Sequence, residues 1–80
     1  MYNRYYAIYD KTAKTYGGIF QQINDATASR LFQSQQKNKD SLISMKPEDF
    51  SLHYICTVDD ETGSIVDATQ MTVCEGKPNE

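Results

Sequence analysis

Aromatic and cationic side chains alternate near the start of the chain, and this combination can bind nucleic acid. Five of the tyrosines are Tyr2, Tyr5, Tyr6, Tyr9 and Tyr16. Three cations, Arg4, Lys11 and Lys14, lie among them. Because aromatic rings stack on unpaired bases while cations contact phosphates, this set on a sheet predicts a single-strand platform. The structural alternative is that tyrosine is simply a good strand residue, half buried with its hydroxyl at the edge.

The histidine and the two cysteines are poorly spaced for a metal site or a disulfide. His53 and Cys56 are three residues apart, so on a strand their side chains point to opposite faces and cannot share an ion. If Cys56 faces Asp67 across a hairpin, Cys74 lies roughly 23 Å further along the partner strand. A disulfide needs Cα atoms within about 7 Å. We therefore expect no metal and two reduced thiols that pack as small hydrophobes.

The carboxylates are the remaining candidates for catalysis. They cluster at residues 48–49 and 59–61, where paired acid and base work is one interpretation and solvated charge around turns is the other. The chain has no glycine-rich phosphate loop and no nucleophile elbow. The sequence therefore predicts a protein that is not an enzyme and that needs no cofactor.

Charge is distributed unevenly along the 80 residues, whose net charge is -3 at pH 7. Residues 1–46 carry seven Lys and Arg against three Asp, whereas residues 47–80 carry one Lys against eight acidic residues. This asymmetry indicates either a polyanion partner for the first half or head-to-tail pairing between copies. The alternative is that folding mixes the two halves on one surface.

Length and composition indicate a single small domain. No apolar segment follows Met1 and no apolar run is long enough for a membrane helix, so we expect a cytosolic chain without a membrane partner. A chain this short buries only about 60% of its unfolded surface. We therefore expect homodimerisation, through the helix or a sheet edge, to supplement a small core.

Four elements must position these side chains. Residues 2–10 are rich in tyrosine and read as a strand. Asn24 or Asp25 begins a helix over 25–37 whose apolar stripe is Ala28, Leu31 and Phe32. Residues 51–59 alternate as a second strand, with Leu52, Tyr54, Cys56 and Val58 on one face. Residues 60–63 read as a turn, and a third strand returns over about 64–73, with a bulge or break near Thr69.

The predicted fold class is α+β: a small sheet of about three strands with one helix packed on one face. The predicted order is strand, helix, strand, strand. Residues 1–74 form the single domain, and residues 75–80, which are polar and contain a proline, are expected to be a disordered C-terminal tail.

Four short motifs occur in an order that is typical of one phage family. They read YAIYD at 6–10, NDATASRLF at 24–32, PEDFSLHY at 47–54 and VDDETGSI at 58–65. This series resembles the small nonstructural protein of gokushovirus-type microviruses, which are single-stranded DNA bacteriophages. The resemblance implies a role in viral DNA replication, in single-strand synthesis coupled to packaging, within the host cytoplasm. It also implies DNA binding, and it transfers no catalytic residue.

Two hypotheses about function follow. The first is a phage nonstructural protein that binds single-stranded DNA and assists viral strand synthesis or genome packaging. Its predicted binding residues are Arg4, Tyr5, Tyr9, Lys11, Lys14 and Arg30. The second is a dimeric protein-interaction module that docks on a replication initiator, a procapsid or a host factor, with its acidic residues facing a basic partner.

Overall fold

A six-stranded antiparallel sheet with a helix on one face forms the body of the protein. The computed structural model describes residues 1–77. The strands are β1 (Tyr2–Asp10), β2 (Thr15–Tyr16), β3 (Phe20–Gln22), β4 (Phe50–Asp59), β5 (Ile65–Asp67) and β6 (Met71–Glu75). The helices are α1 (Asp25–Lys37), the single turn α2 (Leu42–Met45) and a 3₁₀ turn at Pro47–Asp49.

The two long strands, β1 and β4, run side by side through the centre of the sheet. Their antiparallel register extends from Tyr2 opposite Asp59 to Asp10 opposite Phe50. The short strands β2 and β3 both pair with the outer side of β1, and β5 and β6 both pair with the outer side of β4. Both edges of the sheet are therefore made of short segments placed end to end.

The predicted three-strand sheet is wrong, because the sheet has six strands and is the dominant element. The strands β2 and β3 have two and three residues, too few for a periodic signal, and their backbone pairing with β1 defines them. The predicted third strand is two strands, β5 and β6. They separate at residues 68–70, where the sequence indicated a break near Thr69.

Helix α1 has the predicted bounds because its ends are determined by local signals. The Asn24 side chain accepts a hydrogen bond from the backbone of Thr27, and the Thr27 hydroxyl oxygen accepts one from the Asn24 backbone. This capping box supplies hydrogen-bond acceptors for backbone N–H groups that have none within the first turn of the helix. Ala28 and Phe32 are buried against the sheet, while Leu31 lies at the rim and is 37% exposed.

The core lies between α1 and the centre of the sheet. Its buried members are Tyr6, Ala28, Phe32, Ile43, Leu52 and Tyr54. The strands supply half of this set and the helical segments supply the other half. Ile8 and Phe50 pack against it while partly exposed, so the core is small for a chain of 80 residues.

A bulge in β4 changes which residues face the helix. Tyr5 pairs with Cys56 and Tyr6 pairs with Tyr54, so Ile55 is an extra residue on β4. The predicted alternation is therefore wrong beyond Tyr54, because the extra residue reverses the side on which later side chains lie. Thr57 is buried on the helix side with Tyr54, and Cys56 faces away with Tyr5.

Both cysteines are free. Cys74 pairs with Leu52 rather than with a residue near Cys56. Leu52, the neighbour of Cys74, is therefore four residues from Cys56 on β4, about 13 Å along the strand.

The segment predicted as a tail, residues 75–80, begins inside the sheet. Glu75 is the last residue of β6, and the Gly76 N–H donates a 2.9 Å hydrogen bond to the Phe50 carbonyl. The Lys77 carbonyl accepts a hydrogen bond from the Gln36 side chain on α1. Residues 78–80 lie outside the described part of the chain.

Candidate nucleic-acid interface

Three aromatic rings converge on the side of the sheet opposite α1. The Tyr9 and Tyr16 ring centroids are 4.6 Å apart. The His53 ring meets both of them edge-on, at 5.9 Å from Tyr9 and 5.5 Å from Tyr16. We call the side of the sheet that carries these rings and Tyr5 the open face. No helix covers it within residues 1–77.

Strand alternation places the tyrosines on this face. In β1, Tyr6 and Ile8 pack toward α1, so Tyr5 and Tyr9 point the other way. Tyr16 in β2 is directly opposite Tyr9 in the register, which is why their rings touch. Tyr16 is the most accessible ring of this group, with 48% of its surface exposed.

A buried layer beneath the rings fixes the orientation of His53. Ala7 is fully buried, and Ser51 is 1% exposed. The Ser51 hydroxyl lies 2.7 Å from His53 Nε2, and the Thr72 hydroxyl lies 3.5 Å from Nδ1. Burial is the main cause that lowers the pKa of His53; the Glu75 carboxylate opposes this shift, and the Lys11 cation adds to it by a smaller amount. The direction of this pKa shift favours the neutral form of the His53 ring.

The Ser51–His53 contact resembles a nucleophile with its base, but its surroundings favour a structural role. A nucleophile must be accessible and its base must be oriented by a third group. The Ser51 side chain lies under the ring cluster, and the hydroxyl of Thr72 faces the second ring nitrogen. This arrangement holds the imidazole edge-on against both tyrosines.

The two predicted lysines lie in the tight turn that joins β1 and β2. The Asp10 carboxylate accepts hydrogen bonds from the backbones of Thr12 and Ala13, and Lys14 takes a left-handed conformation with φ 60°. Lys11 Nζ is 2.5 Å from the Glu75 carboxylate and donates to the Glu48 carbonyl at 3.3 Å. Lys14 is therefore the freer cation next to the rings.

Arg4 lies on the helix side and is occupied there. Its Nε donates to the Tyr6 hydroxyl and its Nη2 to the Asp25 carboxylate, both at 2.9 Å. Its guanidinium lies 4.4 Å from the centre of the Tyr54 ring. The hydrogen bond with Tyr6 is the main cause that raises the pKa of Arg4. Arg4 therefore joins β1 to the start of α1 and is remote from the open face.

Arg30 is exposed on α1 and lies on the far side of the sheet from the aromatic rings. It lines a shallow hollow together with Gln33 and Lys37. Of the six predicted binding residues, Tyr5 and Tyr9 therefore lie on the open face, and Lys11 and Lys14 lie in the turn at its end. The structure places Arg4 and Arg30 elsewhere.

Two members of the ring cluster, Tyr16 and His53, are absent from the predicted set. A usable signal was present for Tyr16, because a four-residue turn over 11–14 places it opposite Tyr9. His53 alternates with the buried Leu52 and Tyr54, so it had to point away from the core.

The described residues contain neither a cluster of metal ligands nor a helix that could cross a membrane. Among residues 1–77, no three His, Cys, Asp or Glu side chains are grouped closely enough to hold a metal ion. No helix in that range has the length and apolar character needed to cross a membrane.

The chain matches the model of a known protein family. The family model described as Phage ORF5 protein matches residues 3–78. No curated protein and no solved structure matches the chain. Because the matched segment extends over nearly the whole chain, including the open face and α1, the chain belongs to the Phage ORF5 protein family.

Proposed function

We propose that this phage protein binds single-stranded DNA through the open face and, without catalysing a reaction, assists viral strand synthesis or genome packaging in the host cytoplasm. The observation that carries the proposal is the convergence of Tyr9, Tyr16 and His53 beside a turn that carries Lys14. The resemblance of the sequence motifs to those of gokushovirus-type microviruses supports a phage with a single-stranded genome as the source.

The chemistry of the open face suits an unpaired strand. Each exposed ring offers a surface on which any base can stack, at about 1–3 kcal/mol per base. Tyr5 and Tyr9 are four residues apart on one strand, about 13 Å, so they are spaced for bases that are splayed apart. Lys14 supplies a cation at the end of this row.

The acidic residues 59–61 are far from the ring cluster, whereas Glu75, which is paired with Lys11, lies close to it. Tyr9 is opposite Ser51 near one end of β4, whereas the acidic residues 59–61 follow the other end. Eight residues of extended strand separate the two positions, about 26 Å. Salt at physiological strength screens charges beyond about 8 Å. The charge of residues 59–61 therefore opposes binding at the rings little, and near the rings the Glu75 carboxylate is compensated by Lys11.

Fluorescence anisotropy of a labelled oligothymidine tests the proposal. We expect binding in the micromolar range that weakens as salt is raised. Tyr16→Ala should weaken it by about 5- to 100-fold, which corresponds to the loss of one stacked base. The matched control is Tyr2→Ala, because Tyr2 is 67% exposed but belongs to the opposite face of β1.

A second pair of variants tests the phosphate contact. Lys14→Ala should weaken binding. It should also reduce the slope of log affinity against log salt concentration by about one, because one phosphate contact is lost. Lys46→Ala removes the same charge from an exposed position after α2 and should have little effect. Absence of binding at low salt, or equal losses for Tyr16→Ala and Tyr2→Ala, would contradict the proposal.

One observation favours the dimeric protein-interaction module as a second candidate. Four large apolar side chains are more than half exposed near the far end of the sheet: Met1, Tyr2, Ile65 and Val66. Such a group indicates a protein contact. If DNA binding is absent, docking on a phage replication or capsid protein becomes the working proposal, and capture of those phage proteins on immobilised protein tests it.

A further inference from the structure

The two ends of this elongated molecule carry opposite charge. The molecule measures 43 × 23 × 18 Å, and its long central strands have an acidic turn at one end. The acidic turn is defined here as residues 59–61, which are Asp59, Asp60 and Glu61. At the other end, α1 and the last strand border a cleft, the basic groove, whose cations are Arg30, Lys37 and Lys77.

The acidic turn is well formed and accessible. Gly63 has φ 76° and its N–H donates to the Asp59 carbonyl at 2.7 Å, which closes the turn. The Met1 ammonium lies 3.0 Å from the Asp60 carboxylate and compensates one of the three charges. Glu61 projects furthest, with 82% of its side chain exposed. The turn therefore presents a net negative tip.

The basic groove is large enough to receive such a tip. A cleft of about 550 Å³ lies between α1 and β6, with Phe32 at its base and Lys37 and Lys77 at its rims. A second hollow of about 380 Å³ adjoins it, bordered by Arg30 and Lys37. Gln33 lines both spaces, so the two form one continuous surface.

The groove keeps its positive charge within the folded chain. Its one acidic lining residue, Glu75, is paired with Lys11 on the other side of the sheet at 2.5 Å. Among the described residues, Arg30, Lys37 and Lys77 take part in no salt bridge. An anionic group that enters the groove therefore meets uncompensated cations.

The acidic turn of the same molecule cannot reach this groove. Cys74 and Glu75 border the groove and pair with Leu52 and Ser51, near the start of β4. The acidic turn begins at the end of β4, seven residues beyond Leu52, which is about 23 Å. The complementary surface must therefore come from another molecule, and a second copy carries it in a suitable form.

We propose that the acidic turn of one copy docks into the basic groove of the next copy. The contact is heterologous, because it joins different surfaces of the two partners, and repetition produces a ring or an open chain of copies. The exposed Ile65 and Val66 follow the acidic turn directly and add apolar area to the contact. The open face takes no part in this contact, so the inference does not depend on the proposed DNA binding.

Sedimentation velocity without DNA, over a range of protein and salt concentrations, tests the contact. The wild-type protein should form larger species as its concentration rises, and salt should reverse this because the contact depends on exposed charges. Glu61→Lys and Lys37→Glu should each give a monomer at concentrations where the wild type associates. Both positions are exposed, and circular dichroism verifies that each variant is folded.

An equimolar mixture of the two variants distinguishes this contact from other modes of association. In the mixture, the unchanged acidic turn of Lys37→Glu can dock into the unchanged basic groove of Glu61→Lys. The reversed turn and the reversed groove are also complementary in charge, so association should return. Lys46→Glu and Glu48→Lys, which make the same charge changes outside both surfaces, should leave association unchanged. A monomeric wild type at low salt, association that survives either variant, or a mixture that stays monomeric would each overturn the proposal.

Discussion

Adjacent tyrosines in β1 have different roles because successive strand residues point to opposite faces. Tyr6 is fully buried and its hydroxyl donates a 2.6 Å hydrogen bond to the Asp25 carboxylate at the start of α1. Tyr5 lies on the open face opposite Cys56. The same alternation places Arg4 on the side of Tyr6, where it supports the start of the helix. Residue type alone therefore does not assign a function to this cluster.

Two carboxylates make the stability of the fold sensitive to acid. A hydrogen bond from Tyr6, followed by the contact with Arg4, lowers the pKa of Asp25 below 3.8. A hydrogen bond from Tyr54 is the main cause that lowers the pKa of Asp67. A carboxyl group whose pKa is lower in the folded state adds stability above its unfolded pKa, and this stability disappears as the pH falls through the folded value.

We therefore expect the free energy of unfolding to decrease as the pH falls from about 5 to about 2, in the range of these carboxyl groups. Asp25→Asn should flatten this dependence, by about 1 kcal/mol or less, because Asp25 is exposed to solvent screening. Urea unfolding followed by circular dichroism at several pH values measures it. Asp40→Asn, in the loop after α1, is the control, and an unchanged pH profile in Asp25→Asn would contradict the expectation.

At the level of elements, the end of β6 is held against the start of β4 by close backbone packing. Gly76 is buried and its N–H bonds to Phe50. A Cβ atom at this position would lie 1.8 Å from the Pro47 carbonyl oxygen and 2.9 Å from the Phe50 carbonyl oxygen. Both neighbours are backbone atoms, so they can yield only if the strand or the 3₁₀ turn moves.

Gly76→Ala should therefore destabilise the protein by about 1–3 kcal/mol, the usual cost of overpacking a filled site. The matched control is Gly18→Ala, because a Cβ there would meet nothing within 4 Å. The control should be neutral or stabilising by up to about 1 kcal/mol, since alanine restricts the unfolded chain. Chemical denaturation of both variants gives the comparison, and equal midpoints would show that Gly76 is not tightly packed.

At the scale of the whole molecule, stability is concentrated in the centre and decreases toward the edges. Tyr6, Leu52 and Tyr54, which lie on the two long strands, are at most 3% exposed. Every residue of β5 is exposed, and so are both residues of β2. Local opening of such segments costs less than global unfolding because little apolar surface is released.

Amide hydrogen exchange should reveal this gradient. We expect amides in the middle of β1 and β4 to exchange only through global unfolding, and amides of β5 to exchange on the order of 100-fold faster or more. Exchange measured by NMR at low protein concentration, where copies are separate, gives the pattern for one molecule. Equal protection in β5 and β4 would contradict the gradient.

Local signals in the sequence were sufficient for some elements. The Asn24 cap and the apolar spacing of Ala28 and Phe32 determined α1, because a helix forms its hydrogen bonds within its own segment. The tyrosine-rich segment and the alternating segment were likewise correctly predicted as strands β1 and β4. Four of the six predicted binding residues also lie on the open face or in the turn at its end, because they belong to β1 and the turn that follows it.

Only the tertiary structure decided how these elements combine. The strands β2 and β3 exist through pairing with β1, and the extra residue Ile55 reverses the later part of β4. Packing of α1 determined which face of the sheet is covered, and hence that Arg4 and Arg30 lie away from Tyr9. The sequence by itself determined the elements whose bonds are local, whereas pairing, register and coverage depend on contacts between distant residues, which leave little trace in local patterns.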